Sequence, residues 1–412
     1  MYIQRALEPV IKRVSEKFKV LLLTGPRQVG KTTMLNELRE KGRGYISLDD
    51  LAARTLARND PPLFLSRFAP PVLIDEIQYA PELLPYIKMD VDKSGERGRY
   101  WLTGSQAFHS MKNVSESLSG RVGVISLLGL SQREINGGVS APFSTDPGVI
   151  MKRMETAPTL GLTDVFERIF YGSMPELVAD RDIGRDLYYS SYVNTYIERD
   201  IRDLTQVADE TTFLKFMTII AANTAKPVIY QDLANAADIS APTVKKWLSV
   251  LASSNIITMV QPFHHNALKR AVKTPLLHFL DTGLCAYLTG WTDPLVLERG
   301  AMSGQIFESW VFGELYKSYL NEGRRSPFYY YRDKDKREID LLIYENGVLF
   351  PIEIKKTASP GRNDIKNFRV LEPFRNAGND LKVKTGPGVV LCMIPEPLPI
   401  NADNWYVPVR AI

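Results

Sequence analysis
Two stretches of this 412-residue chain set residues in patterns suited to phosphate chemistry. The first is KVLLLTGPRQVGKTTMLNELRE. An apolar run, Val20 to Leu23, leads into Gly25, Pro26, Arg27, Gln28, Val29, Gly30, Lys31, Thr32 and Thr33, and then into helical spacing at Met34, Leu35 and Leu38. Glycines at both ends let backbone N–H groups turn inward around a phosphate, and the helix that follows aims its positive end at the same charge. Lys31 is then placed for the β- and γ-phosphate oxygens of ATP, and Thr32 for the accompanying Mg²⁺. Strand, loop and helix in this order make the run a P-loop rather than a Gly-rich turn.

The second stretch is REIDLLIYENGVLFPIEIKK, which puts Asp340, Glu353 and Lys355 inside strand-like runs joined by an Asn346-Gly347 turn. Strict alternation places Asp340 on the face of Leu342, and Glu353 with Lys355 opposite Ile352 and Ile354. Carboxylates beside a core are costly unless compensated, and a divalent cation, Mg²⁺ or Mn²⁺, would compensate them. Asp340 and Glu353 would be hard oxygen ligands, and Lys355 would position an attacking water or stabilise developing charge, as phosphodiester cleavage requires. A lattice of ion pairs on an exposed sheet edge is the competing reading.

The elements that must position these residues read as an α/β multidomain chain. PVLIDEIQ is a second strand, ending in Asp75 and Glu76; Asp75 is expected to hold Mg²⁺ through water and Glu76 to orient the attacking water as general base. GRYWLTGSQ is a third, with Ser105 or Gln106 able to sense the γ-phosphate. With GRGYISLDD and RVGVISL, the alternation over roughly residues 18 to 130 predicts a parallel sheet with flanking helices. NGGVSAPFSTDPGV after Ile135 reads as a linker or exposed loop. In RDLYYSSYVNTYIERDIRDL, Tyr188, Tyr192 and Tyr196 form a helical core stripe, and Glu198, Arg199, Asp200, Arg202 and Asp203 a solvated face. Residues 226 to 275 have helix-turn-helix spacing with a wing: Ser240 caps the second helix, Val244, Leu248 and Leu251 point inward, and Thr243, Lys245 and Lys246 would meet DNA, with Lys269, Arg270 and Lys273 on phosphates. A protein-contact or lid role suits the same small fold. SGQIFESWVFGELYKSYL predicts an amphipathic helix with Ile306, Phe307, Trp310, Val311 and Leu315 inward and Glu308 beside that face.

The expected domains are a P-loop domain over 1–135, a linker and helical region over 136–225, a winged helix over 226–275, and a connector with a nuclease-like domain over 276–412. With 44% hydrophobic and 24% charged residues the chain reads as soluble and cytoplasmic, and no stretch approaches the roughly 18 apolar residues of a membrane span. Cys285 and Cys392 stand apart as core thiols, which argues against disulfides or a cysteine metal site. A net charge of +4 is compatible with nucleic-acid contact and too small to mark a DNA-coating protein.

At SESLSGRVGVISLLGLS the chain resembles the AAA+ superfamily, and that resemblance makes Arg121 a candidate arginine finger acting on a neighbouring subunit, hence a homo-oligomer. An ion pair within the domain is the plainer role for Arg121. The C-terminal spacing resembles the restriction-endonuclease-like superfamily with its PD-(D/E)xK signature. By that resemblance Asp340, Glu353 and Lys355 match the catalytic positions and Glu308 the auxiliary helix acid, while Ile339 stands where the signature has proline. Over nearly its whole length, through GPRQVGKTT, VLIDEIQ, LTGS, YIERDI, LDTGL and EIDLLI…PIEIKK, the chain resembles bacterial and archaeal AAA-type ATPases that carry a C-terminal domain of unknown function. The resemblance implies an ATPase associated with DNA whose C-terminal domain binds or cleaves nucleic acid. The alternative is an ATP-gated oligomeric regulator with a non-catalytic binding module.

Overall fold
The computed structural model describes residues 2–105, 117–138, 141–196, 210–264, 274–372 and 383–412. Strands form at the expected apolar runs: β1 (Val20–Gly25), β2 (Gly44–Ser47), β3 (Val72–Asp75), β4 (Tyr100–Ser105) and β5 (Val122–Ser126). All pair in parallel, in the order β2-β3-β4-β1-β5. Leu21, Leu23, Leu73 and Trp101 pack with Val10, Ile11, Met34 and Leu35, whereas Val20, Leu22, Ile74 and Leu102 pack with Phe64, Leu83, Ile87 and Val91. Both faces are therefore covered by helices, as a parallel sheet demands. The loop leaving β1 opens at the strands' carboxyl ends, where such sheets bind ligands.

The stretch after Ile135 is not simply an exposed linker. Phe143 is buried; its N–H donates to Ser318 Oγ at 3.0 Å, and its carbonyl accepts from Tyr319 Oη at 3.0 Å. Farther on, Tyr188, Tyr192 and Tyr196 are buried along the helix Arg185–Tyr196. Glu198, Arg199, Asp200, Arg202 and Asp203 lie outside the described residues. The helices Tyr230–Ala237 and Ala241–Ser253 meet at Asp238, with φ 58°, and the Thr243 N–H donates to Ser240 Oγ at 3.2 Å. A small antiparallel sheet completes this unit: β6 (Lys226–Pro227), β7 (Ile257–Val260) and β8 (Leu276–Phe279), ordered β6-β8-β7. Lys245 and Lys246 are exposed; Lys269, Arg270 and Lys273 lie outside the described residues.

The helix Ser303–Leu320 corrects its expectation. Ser309, Phe312, Glu314, Lys317 and Tyr319 are buried along with the inward set, so it is a central helix covered nearly all round rather than an amphipathic surface helix. It packs beside a mixed sheet of β9 (Phe328–Arg332), β10 (Glu338–Glu345), β11 (Val348–Ile354), β12 (Lys384–Thr385), β13 (Gly388–Cys392), β14 (Leu398–Pro399) and β15 (Asn404–Pro408). The order is β14-β15-β13-β11-β10-β9, with β12 beside β11. Asn346 and Gly347 take φ 50° and 77°, the two left-handed positions that Asn-Gly supplies to a tight hairpin. Cys285 and Cys392 are buried free thiols.

Candidate functional site
At the end of β1 the backbone turns on two glycines. Gly25 has φ +142°, and a Cβ there would lie 2.0 Å from the Leu127 carbonyl oxygen; Gly30, at φ +87°, precedes the helix Lys31–Leu38. Lys31 is buried, and its ammonium donates to the carbonyls of Gly25 and Pro26 at 3.0 and 2.7 Å. Thr32 donates its hydroxyl to Asp75 Oδ1 at 2.9 Å, bringing together two hard oxygen donors from adjacent elements. Thr103 on β4 also donates to Asp75 Oδ1, and Tyr45 donates to Oδ2 at 3.4 Å. Burial pushes the Asp75 carboxyl above its usual range, and the Thr103 and Thr32 hydroxyls oppose the shift. Glu76 follows in the left-handed region at φ 59°, its N–H donating to Thr103 Oγ1 at 3.1 Å and its carboxylate accepting from Gln78. Beside the loop, Tyr2, Ile3, Val29, Gly30, Thr33, Leu130 and Pro175 line a cavity of about 320 Å³.

The second group stands between β10 and β11, whose register runs Leu341 opposite Ile352 to Glu345 opposite Val348. Both are interior strands, so the group is not on a sheet edge as expected. The expected alternation also fails in β10. Its pairing with β9 shifts between Ile339 and Leu342, so Ile339 joins Leu342 in one core cluster while Leu341 and Ile343 join another. A bulge of this kind re-aims one residue, here Asp340, toward the end of β11. Asp340 Oδ2 accepts the Ile354 N–H at 2.8 Å and the Lys355 ammonium at 3.5 Å; Lys355 also donates to Glu353 Oε1 at 2.7 Å.

Glu353 is buried, and its Oε2 has no hydrogen-bond partner among the described residues. Burial and the Asp340 charge push its carboxyl up to about 8. Burial raises Asp340 as well, against the pull of Lys355, and burial with Asp340 raises Glu308 well above the carboxylate range. Burial works against the Lys355 ammonium, but Asp340 and Glu353 hold its pKa above the ordinary lysine value. An orphaned buried carboxylate oxygen beside a second carboxylate fits a hard cation. Among the described residues, no group of three or more His, Cys, Asp or Glu side chains is placed to hold a metal ion. A cation here would thus draw on Asp340 and Glu353 and complete its shell with other oxygens.

The two groups use residues that sequence reading missed. Thr103 clamps Asp75 and Glu76 together, and its position on the strand beside β3 was its only signal. Glu338, two residues before Asp340, adds a further acid whose pKa burial raises; the Asp340 charge adds to that shift. Ser105 sits opposite Gly25 in the β4–β1 register, and Gln106 lies outside the described residues. Arg121 stands just before β5, at the sheet end opposite the loop, and forms a bidentate pair with Asp92 at 2.5 and 2.8 Å.

Residues 17–136 match the family described as AAA domain, 162–295 a domain of unknown function (DUF8612), and 303–412 a domain of unknown function (DUF4143). Uncharacterized proteins of Mycobacterium tuberculosis and Mycobacterium bovis are each 30% identical over 353 residues, 85% of this chain and 73% of theirs. Similar solved structures include a RuvB variant of Thermotoga maritima, 19% identical over 61% of this chain and 85% of that one, TM-score 0.27. Another is a signal-transduction ATPase with numerous domains from Pyrococcus horikoshii, 12% identical over 76% and 45%, TM-score 0.26. Such scores say nothing of what this chain does. No described helix is long and apolar enough to cross a membrane. The chain carries an AAA domain and belongs to the family of its mycobacterial relatives.

Proposed function
We propose that this protein binds and hydrolyses ATP at the loop Gly25–Thr33, and that its C-terminal domain engages nucleic acid at the Asp340, Glu353 and Lys355 group in a Mg²⁺-dependent way. The observation that carries the reading is the meeting of Lys31 and Thr32, which follow β1, with Asp75 and Glu76 at the end of β3, across the intervening parallel strand β4. Inward N–H groups of the loop would cradle the phosphates, and Lys31 would leave the Gly25 and Pro26 carbonyls for phosphate oxygens. Glu76, held by its neighbours Thr103 and Gln78, would orient and deprotonate the attacking water. Mg²⁺ held through Thr32 and Asp75 supplies charge neutralisation on the phosphates. The cavity beside the loop, bounded by Ile3, Val29, Leu130 and Pro175 together with Arg5 and Glu37, would take the base. Glu76→Gln tests this half: nucleotide should still bind while turnover is lost, and unchanged turnover would remove Glu76 from the reaction.

The nucleic-acid half is supported by the orphaned Glu353 Oε2 and by the element order, a helix, three antiparallel strands, a second helical segment at Arg362–Leu371 and a parallel strand, an order that resembles restriction-endonuclease-like folds. The winged-helix reading of residues 226–275 is supported by the helix pair with its Ser240 cap and by the small sheet beside it, with exposed Lys245 and Lys246. Plasmid and single-stranded DNA incubated with Mg²⁺ or Mn²⁺ should be cut by the wild type and spared by Asp340→Ala. The reading of an ATP-gated oligomeric regulator is favoured by one observation, the Lys355 ammonium already paired with both carboxylates. It predicts nucleotide-dependent assembly in sedimentation without DNA cleavage. In that assembly Arg121 would have to exchange Asp92 for a neighbour's nucleotide.

A further inference from the structure
Arg5 is buried at the wall of the cavity beside the phosphate loop, and its guanidinium is spent on protein groups. Its Nη1 donates to the Val29 carbonyl at 2.9 Å, its Nη2 to the Leu128 and Gly129 carbonyls at 2.7 and 3.4 Å, and its Nε to Glu134 Oε1 at 3.0 Å. Glu134 is saturated in turn. It accepts from Ala6 N at 2.8 Å, Ser131 N at 2.7 Å and Ser131 Oγ at 3.0 Å. Burial works against its charge, yet Arg5 and the Ser131 and Ala6 N–H groups hold its carboxyl below the usual range.

One end of this network is the phosphate loop. In a trans peptide the carbonyl and the next N–H point in opposite directions, so fixing the Val29 carbonyl on Arg5 turns the Gly30 N–H away from it. The other end is the buried helix Ser303–Leu320. Its Lys317 ammonium donates to the Leu130 carbonyl at 2.9 Å and to Glu314, whose Oε2 accepts the Gln132 N–H at 2.8 Å. The strap Leu127–Glu134 is thus gripped from both sides, and its first residue donates to Thr24 O at 2.8 Å, next to Gly25. Glu308, beside the C-terminal carboxylates, lies on that same helix six residues before Glu314, about 9 Å along its axis.

We propose that Arg5 is a positioning residue that reads the phosphate-loop backbone and, through the Leu127–Glu134 strap and the Glu314–Lys317 pair, couples nucleotide binding to the seating of the helix Ser303–Leu320. Coupling of this kind is reciprocal: changes at the helix alter nucleotide affinity as changes at the loop alter the helix. It rests on the nucleotide half of the proposed function and needs no nuclease activity.

The test is hydrogen exchange on the full chain, free and saturated with ADP or a non-hydrolysable ATP analogue, together with nucleotide dissociation constants. In the wild type nucleotide should slow exchange in residues 303–320 as well as 25–33. Arg5→Lys, whose single ammonium cannot span four acceptors, should bind nucleotide about tenfold more weakly and lose the slowing in 303–320. Glu314→Gln, remote from the loop, should also weaken nucleotide binding, and the double variant should fall short of the sum of the single losses. Nucleotide binding that leaves 303–320 unchanged in the wild type overturns the coupling but spares the nucleotide site, and additive losses in the double variant do the same. Failure of the wild type to bind nucleotide overturns both. Should Arg5→Lys not fold, the wild-type exchange result decides alone.

Discussion

The phosphate loop and the C-terminal carboxylate group place their charges in opposite ways. At the loop every charged group rests on groups that belong to it: Lys31 on the Gly25 and Pro26 carbonyls, Asp75 on three hydroxyls. Carbonyls hold the ammonium and hydroxyls hold the carboxylate, so both charges are matched before any ligand arrives. In the C-terminal group, side chains carry the burden. Asp340, Glu353 and Glu308 are raised together, one ammonium serves two of them, and Glu353 Oε2 has no partner among the described residues. The first site meets its charges with hydrogen-bond partners of its own, whereas the second leaves one buried carboxylate oxygen for a proton or a cation to satisfy.

The largest effect belongs to the loop: Glu76→Gln should cut ATP turnover by about 10²–10⁴-fold in steady-state assays while leaving nucleotide affinity intact. Next comes the buried pair that steadies the loop. Glu134→Gln leaves the buried Arg5 without its counter-ion and should cost about 3–5 kcal/mol in denaturant unfolding at neutral pH. Because the folded-state pKa of Glu134 is depressed, its contribution is present above the ordinary carboxylate pKa and lost as pH falls through the depressed value, so wild type and variant should converge in acid.

The third test addresses the carboxylate group. Without nucleotide, Mg²⁺ or Mn²⁺ at about a hundred times its dissociation constant should stabilise the protein by about 2.7 kcal/mol, and Asp340→Asn should remove that gain. An equal gain in the variant would place the cation elsewhere. The smallest effect is a control on the hairpin: Gly347→Ala, at φ 77°, should cost about 1 kcal/mol in thermal unfolding and leave turnover unchanged.

The loop was legible because its chemistry needs contiguous residues: Gly25, Gly30, Lys31 and Thr32 are neighbours in sequence as in space. Asp75 and Glu76 were legible for the same reason, at the end of an apolar strand. Asp340, Glu353 and Lys355 could be picked out by type, but the face of Asp340 could not. Its placement depends on a bulge against β9, which alternation along one strand does not encode. The burial of Glu314 and Lys317 was hidden more deeply, since their partners Gln132 and Leu130 lie 182 and 187 positions away. Arg5 gave no signal at all, its partner Glu134 being 129 positions distant. Local patterns report what a segment can do, and long-range polar pairs decide where it is buried.

ATP hydrolysis at the loop is the core of the proposed function. The most direct check is ATP turnover with Mg²⁺ in the wild type, Lys31→Ala and Asp340→Ala. The account predicts turnover in the wild type, its loss in Lys31→Ala, and its survival in Asp340→Ala. Equal rates in the wild type and Lys31→Ala would contradict it.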